Sequence, residues 1–241
     1  MNDYSRLDFE KLWRGRDKVT EVECGIILSM LEENRRNRVL ELGAGNGRIG
    51  SIISDYCGEY FALDRINDFL KKCGQVKRLA AFNRICGDMM SIPAIDASFD
   101  VVIMVRVFNF LSDPGTLLRE LKRVMTDDGV AIISYFHSGS LASVIDYIDH
   151  DCEKASRQAG QKIKGIRQIL RSNFDEYFYS KRYFRRLVRD AGFKIIEERV
   201  CGLEDYSILN TLPSKIFVGI SGMAYPFGFI PHSFVKLGKD R

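Results

Sequence analysis

Residues 39–50 read Val-Leu-Glu-Leu-Gly-Ala-Gly-Asn-Gly-Arg-Ile-Gly, an apolar run followed by glycines at 43, 45 and 47. The run predicts a short buried strand, and the glycines predict an immediate turn into a helix. Glycine adopts positive φ angles without steric cost, and it lets a ligand lie directly on the backbone near the helix N-terminus. The stretch therefore predicts a site for a nucleotide-like cofactor at the carboxyl end of a strand.

Apolar runs and helical patterns alternate along the chain on both sides of this loop. Strands are predicted at 39–42, 59–63, 83–86, 100–105, 130–135, 193–200 and 215–219. This alternation is typical of an α/β fold with a parallel sheet, in which ligands bind beyond the carboxyl ends of the strands. The candidate site residues at those ends are Gly43, Asp64, Asp88, Arg106 and His137.

Two classes of cofactor fit the glycines. Residues 45–50 match the dinucleotide pattern Gly-x-Gly-x-x-Gly, and Asp64 follows at a distance suited to a ribose contact. In a dinucleotide site, however, the first glycine stands at the strand end. Here that glycine is Gly43, and the third glycine of the same register would fall on Arg48. The register therefore disfavours a dinucleotide.

Residues 41–47 resemble motif I of the class I S-adenosylmethionine-dependent methyltransferases. Further stretches resemble the family in the same order: 61–64, 87–89, 99–102, 107–114, 118–130 and 191–193. The resemblance covers about residues 20–200 and points to the small-molecule branch of the family. It implies a Rossmann-like, seven-stranded, mostly parallel sheet with helices on both faces. It also implies an enzyme that transfers a methyl group from S-adenosylmethionine to a small or lipid-like organic acceptor.

The resemblance implies a set of cofactor-binding residues. They are Glu41, Gly43, Ala44, Gly45, Gly47, Asp64, Arg65, Asp88, Met89, Val105 and Arg106. Asp64 would accept hydrogen bonds from the ribose hydroxyls and Asp88 from the adenine amino group, while Met89 would pack on the ring. Glu41 would orient the glycine loop. Other roles remain open for three of them: Asp64 as a helix N-cap, Asp88 as a turn former, and Arg106 as the partner of a surface acid.

Methyl transfer to a reactive acceptor needs alignment and water exclusion more than it needs a catalytic base. His137 is the candidate base because it follows a strand at the ligand edge, and a packed or substrate-shaping role is the alternative. Asn109 and Phe110 stand where many relatives have histidine, and no Asn/Asp-Pro-Pro-Tyr/Phe motif follows the fourth strand. Adenine-N6 and glutamine-N methylation are therefore disfavoured. No metal site is predicted, because His150 lacks a second histidine at ligand spacing.

The net charge of +4 conceals a strongly basic segment. Residues 154–189 contain eleven Lys or Arg residues and two acids. This charge has three interpretations: solvated helix faces, an acceptor that carries an anionic group, and RNA or an anionic membrane surface. Nucleic acid is disfavoured because no RNA-binding module is recognisable. An RNA methyltransferase that uses 154–189, or a non-catalytic S-adenosylmethionine-binding module, remains an alternative function.

The chain is predicted to form a single domain, 1–241, with three additions to the sheet. These are an N-terminal helical segment at 1–34, a helical lid insertion at 138–180, and a last strand with an apolar arm at 215–241. The arm is expected to pack on the body or on a second subunit of a homodimer, and peripheral membrane contact is the alternative. The cysteine spacing and the polar N-terminus predict free thiols in the cytoplasm.

Overall fold

A computed structural model describes residues 13, 16–31, 38–73, 82–136, 161–162, 177–201 and 232–240. The helices are α1 (Asp17–Met30), α2 (Gly50–Ile53), α3 (Asn67–Cys73), α4 (Pro114–Val124) and α5 (Lys181–Asp190), with 3₁₀ turns at Ser54–Tyr56 and Phe108–Phe110. The strands are β1 (Arg38–Leu42), β2 (Glu59–Asp64), β3 (Asn83–Cys86), β4 (Phe99–Met104), β5 (Met125–Phe136), β6 (Gln161–Lys162), β7 (Tyr177–Phe178), β8 (Phe193–Cys201) and β9 (His232–Lys239).

Seven of these strands form one sheet in the order β3-β2-β1-β4-β5-β9-β8. The first five run parallel, and β9 lies antiparallel between β5 and β8. The strand order reverses between β1 and β4, which is where a crevice opens beyond the carboxyl ends of a doubly wound sheet. The predicted fold class, a Rossmann-like and mostly parallel seven-stranded sheet, is confirmed.

Helices cover both faces of the sheet because successive strand residues point to opposite sides. Val39 and Val101 pack with the apolar residues of α1 in one core, while Leu40 and Val102 pack with α4 and α5 in the other. The central strand β4 is buried along most of its length. Its nearly unbroken apolar sequence follows from being covered on both faces.

The seventh strand comes from a different part of the chain than the sequence predicts. Residues 215–219, the predicted last strand, lie outside the described residues, and the place between β5 and β8 is taken by β9. Residues 232–238 are all buried, including His232 at 0 % and Lys236 at 4 % exposure. These polar side chains inside a central strand break the apolar pattern that sequence reasoning relies on.

Only the ends of two predicted additions fall within the described residues. Of the insertion at 138–180, the structure describes β6 and β7, which pair with each other, and the two residues that follow them. The rest of the predicted helical insertion, including His150, and the preceding His137 lie outside the described residues. No described helix is long and apolar enough to cross a membrane. The cysteines in the described part, Cys24, Cys57, Cys73, Cys86 and Cys201, form no disulfide with one another.

Candidate active site

The glycine loop turns sharply as it leaves β1. Gly43, Gly45 and Gly47 have φ angles of +70°, +56° and +83°. The backbone N–H groups of Gly43 and Ala44 both donate to the carbonyl oxygen of Leu63, at 2.8 and 3.0 Å, which ties the turn to the end of β2. A Cβ atom at position 43 would lie 2.5 Å from Cγ2 of Val107, whereas one at position 45 would meet no atom of the described residues within 4 Å. Gly43 therefore serves packing, and Gly45 leaves open space above the loop.

Asp64 ends β2 beside this loop. One carboxylate oxygen accepts a hydrogen bond from the Gly45 N–H at 2.8 Å, and the other accepts from the Ile66 N–H at 2.8 Å. Burial raises the pKa of Asp64, although these backbone donors oppose the rise. Asp64 is not the N-cap of α3, because the N–H that it binds belongs to Ile66 and the helix begins only at Asn67. Each oxygen keeps a further lone pair that could accept from a hydroxyl.

Glu41 points into the protein and is only 3 % exposed. Its carboxylate accepts a hydrogen bond from the Tyr60 hydroxyl at 2.8 Å and interacts with the backbone N–H of Gly50. Burial raises the pKa of Glu41 to about 7. This geometry fits the orienting role that the sequence predicts for Glu41, because the side chain braces the start of α2 from behind the loop.

Asp88 and Met89 follow β3 at the same edge of the sheet. The Asp88 carboxylate accepts from the Met90 N–H at 2.9 Å, and its carbonyl oxygen accepts from the Ser91 N–H at 3.1 Å. Asp88 is thus a turn former, as one alternative held. The bond to Met90 engages one carboxylate oxygen, Oδ1. Met89 packs partly buried against the core that contains Leu63.

Arg106 lies just beyond β4 with a left-handed backbone at φ +56°. Its N–H donates to the Ser134 hydroxyl at 2.7 Å, and its guanidinium Nε donates to Glu23 on α1 at 2.5 Å. Glu23 is fully buried, so the acid that Arg106 contacts here is not the surface acid that one alternative named. The preceding residue, Val105, is 7 % exposed and joins the core on the α1 side.

Glu23 is the main site residue that sequence reasoning missed. It accepts hydrogen bonds from Arg106 and, at 2.6 Å, from Nη1 of Arg48, which ends the glycine loop. Burial acts to raise the pKa of Glu23, but the Arg106 and Arg48 guanidiniums together lower it. The Trp13 ring covers Arg48, with its centroid 3.8 Å from the guanidinium carbon. The available signal was an acid inside the apolar stripe of α1, and it gives no partner.

Asn109 occupies one of the positions where many relatives carry histidine, and it is fully buried. Its side-chain oxygen accepts from the Phe136 N–H at 3.0 Å, and its amide donates to the Tyr177 carbonyl oxygen at 2.6 Å. Tyr179 adds a backbone hydrogen bond to Phe136 at 3.0 Å. Phe136 and Tyr177, which flank residues 137–176, are therefore joined through Asn109, in the turn that follows β4. His137 follows Phe136 directly and lies outside the described residues, so its role stays a prediction.

Helix α5 begins next to this junction and is strongly basic. Its cations are Lys181, Arg182, Arg185, Arg186 and Arg189. Glu198 on β8 pairs with Arg185 at 3.0 Å and with Lys181 at 3.9 Å. Among the described residues, Arg182 and Arg186 form no ion pair, and no group of three His, Cys, Asp or Glu residues is arranged to hold a metal ion.

Comparison with known proteins gives matches along most of the chain. Residues 40–133 match the family described as a methyltransferase domain. A putative methyltransferase of Encephalitozoon cuniculi is 28 % identical over 185 residues, which cover 74 % of this chain and 79 % of that protein. The malonyl-[acyl-carrier protein] O-methyltransferase of Pseudescherichia vulneris is 29 % identical over 116 residues, 48 % of this chain and 45 % of that protein. The chain thus spans less than half the length of this second relative.

The fold is also found among solved structures. A putative methyltransferase of Haloferax volcanii, solved in complex with the Trm112 methyltransferase activator, superposes with a TM-score of 0.71 at 17 % identity. The match covers 100 % of this chain and 99 % of that one. At this identity the likeness extends to the fold alone.

Proposed function

We propose, on the premise that this chain belongs to the class I S-adenosylmethionine-dependent methyltransferases, that it methylates a small or lipid-like organic acceptor carrying an anionic group. The matched domain and the relatives named as methyltransferases confirm the predicted family, enzyme class and cofactor. They argue against the alternative of a non-catalytic binding module. The acceptor and the roles of individual residues are the proposal.

The glycine loop and the two strand-end acids suit S-adenosylmethionine. Gly45 faces open space and can lie against the ligand, while Asp64 is tied to the Gly45 N–H and can accept from a ribose diol. Asp88 and Met89 follow β3 and are assigned to the adenine end. The cofactor supplies a methyl group on a sulfonium, whose leaving group is already activated. The chain's own contribution is to hold both reactants in line and to exclude water.

The observation that supports an anionic acceptor is the positive charge beside the crevice. Arg48 and Arg106 share the single carboxylate of Glu23, so the three groups keep one net positive charge. The ring of Phe136 lies beside Arg106, with its centroid 5.7 Å from the guanidinium carbon. Tyr179, which bonds to Phe136, precedes α5, where Arg182 and Arg186 form no ion pair with a described residue. Cations next to an aromatic face favour a planar acid. The Pseudescherichia relative is named as an O-methyltransferase of malonyl-[acyl-carrier protein].

Two measurements test this function. Calorimetry with S-adenosylhomocysteine and with NAD in parallel should show binding of the first only, and binding of NAD alone would overturn the cofactor assignment. A labelled methyl donor should then be offered with matched panels of carboxylic acids, their neutral esters and amines. We expect turnover with acids and not with esters. Because a structural neighbour was solved with an activator protein, the assay should be run with and without a Trm112-like partner.

His137 is proposed as the general base for an acceptor that must lose a proton. Its neighbour Phe136 is fixed through Asn109 and Tyr179, which holds the backbone at the ligand edge. A carboxylate acceptor is already deprotonated at neutral pH and needs no base. His137→Ala should therefore leave turnover of a carboxylic acid nearly unchanged and slow the turnover of a phenol. Equal loss with both acceptors would indicate a shaping role.

RNA methylation is a second candidate, and α5 favours it. Arg182 and Arg186 carry charge that no described carboxylate neutralises. If they contact phosphates, RNA binding should weaken steeply as the salt concentration rises. Each tenfold loss of affinity corresponds to about 1.4 kcal/mol of binding free energy. Fluorescence anisotropy with single-stranded RNA, for the wild type and an Arg182→Gln/Arg186→Gln variant, tests this. Binding that is absent, or equal in both proteins, removes the candidate.

The remaining predictions concern partners and location. The homodimer, the peripheral membrane contact and the cytoplasmic location stay proposals, as does a single domain over 1–241. The residues predicted to form the apolar arm before β9 lie outside the described part of the chain. Sedimentation of the purified protein, with and without anionic vesicles, tests the first two.

A further inference from the structure

We infer that Glu23 is a positioning residue that holds the glycine loop and the end of β4 in one fixed relation through Arg48 and Arg106. The inference rests on the assignment of the crevice to S-adenosylmethionine. It adds to the site a residue of the N-terminal helix, which lies outside the matched methyltransferase domain.

Each carboxylate oxygen of Glu23 accepts a hydrogen bond from a different arginine. Oε2 accepts from Nη1 of Arg48 at 2.6 Å, and Oε1 accepts from Nε of Arg106 at 2.5 Å. Arg48 belongs to the loop that follows β1, and Arg106 to the turn that follows β4, the two strands between which the strand order reverses. The Glu23 side chain of α1 thereby connects the loop after β1 to the turn after β4.

Burial makes this arrangement costly to disturb. Glu23 is fully buried, and the side chains of Arg48 and Arg106 are each 14 % exposed. Removing one partner of a buried ion pair leaves a charge without compensation, which disturbs the structure far more than losing a surface pair. The guanidiniums would then have to move toward water or toward the ligand.

The hydrogen bond to Glu23 helps to maintain an unusual backbone conformation at Arg106. Its left-handed backbone is a conformation that arginine rarely adopts, and such conformations persist only where the surroundings hold them. Arg106 is held at its backbone and at its side chain, because its N–H donates to Ser134 and its guanidinium donates to Glu23. Arg48 is similarly held between Glu23, the Thr20 hydroxyl at 3.0 Å and the ring of Trp13.

The neighbouring His232 and Cys201 do not make Glu23 part of a nucleophilic triad. Cys201 Sγ lies 3.4 Å and Glu23 Oε1 lies 3.8 Å from the same ring nitrogen, Nδ1 of His232. A proton relay needs the base to use its two different nitrogens. All three side chains are also fully buried, so a substrate cannot reach the thiol. Glu23 therefore acts through the arginines it holds.

The test compares Glu23→Gln with Glu21→Gln, a control on an exposed face of the same helix. Wild-type binding of S-adenosylhomocysteine, measured first, tests the cofactor assignment by itself. We expect Glu23→Gln to raise the Kd for S-adenosylhomocysteine and the KM for S-adenosylmethionine by at least about tenfold, because a misplaced contact of this kind can cost up to about a hundredfold. Glu21→Gln should match the wild type in both.

A role limited to folding gives a different pattern. It lowers the folded fraction and therefore the apparent kcat, while the KM and Kd of the folded molecules stay at wild-type values. That pattern, or wild-type constants throughout, overturns the inference. If Glu23→Gln does not fold, Arg48→Gln replaces it, because Glu23 then keeps Arg106 as its partner. The same rise in Kd is expected, and an unchanged Kd would again overturn the inference.

Discussion

Replacing two glycines of the same loop with alanine should separate packing from ligand binding. At Gly43, alanine would have to adopt φ near +70°, and its Cβ would lie 2.5 Å from Cγ2 and 3.3 Å from Cγ1 of Val107. The left-handed backbone costs about 1–2 kcal/mol, and overpacking typically adds about 1–3 kcal/mol. Gly43→Ala should therefore lower the free energy of unfolding by about 2–5 kcal/mol.

At Gly45 only the backbone penalty applies. Its φ is +56°, but a Cβ atom there would meet nothing within 4 Å in the described part of the chain. Gly45→Ala should therefore lower the free energy of unfolding by only about 1–2 kcal/mol. The new methyl group would instead occupy the space assigned to the cofactor. We expect the affinity for S-adenosylhomocysteine to fall by about tenfold or more, the equivalent of about 1.4 kcal/mol.

Urea unfolding and calorimetry on the same two variants measure both quantities. Adding Val107→Ala to Gly43→Ala should recover part of the lost stability, since it removes the clash and leaves the backbone strain. Equal stability of Gly43→Ala and wild type would refute the packing argument. A Gly45→Ala variant that binds S-adenosylhomocysteine as tightly as the wild type would refute the placement of the cofactor on this loop.

Three further outcomes are expected. Asp64→Ala should weaken S-adenosylhomocysteine binding by about 1.5–3 kcal/mol in calorimetry, the scale of hydrogen bonds to a charged group, and an unchanged Kd would refute the ribose assignment. Glu41 has its folded-state pKa raised from 4.5 to about 7, so the unfolded chain loses this proton first and stability falls as pH rises between those values. Urea unfolding should therefore show the wild type losing up to about 3 kcal/mol relative to Glu41→Gln from pH 5 to pH 8, and parallel pH curves would contradict the burial argument. Asn109→Ala would leave the Phe136 N–H and the Tyr177 carbonyl without their side-chain partner, and the unfolding free energy should drop by about 1–3 kcal/mol, which a wild-type midpoint in urea would disprove.

Several features of the site could be predicted because their signals are local in the chain. The strand before Gly43, the sharp turn after it and the acid that ends β2 each follow from a few consecutive residues. Backbone sterics decide where glycine is required, and period-two burial decides where a strand can be. The ordered set of these stretches was enough to predict the sheet, the family and the cofactor.

The roles of Asp88 and Arg106 show where local signals end. Asp88 was open between a turn and a ligand contact, and its described bonds make the turn with one carboxylate oxygen. For Arg106 the sequence leaves a cofactor contact and a surface acid open, and the structure adds a partner that neither names, a buried glutamate on α1. The identity of a charged residue is visible in sequence, but its partner is not.

By itself, the sequence determined the glycine loop and the central parallel strands and predicted the class of enzyme, because these signals come from near neighbours in the chain. Only the tertiary structure decided that Glu23 joins Arg48 and Arg106, that Asn109 joins Phe136 to Tyr177, and that β9 starts with a buried His232. These contacts join residues far apart in the chain. Their energies depend on burial and on partners that meet only when the sheet is assembled.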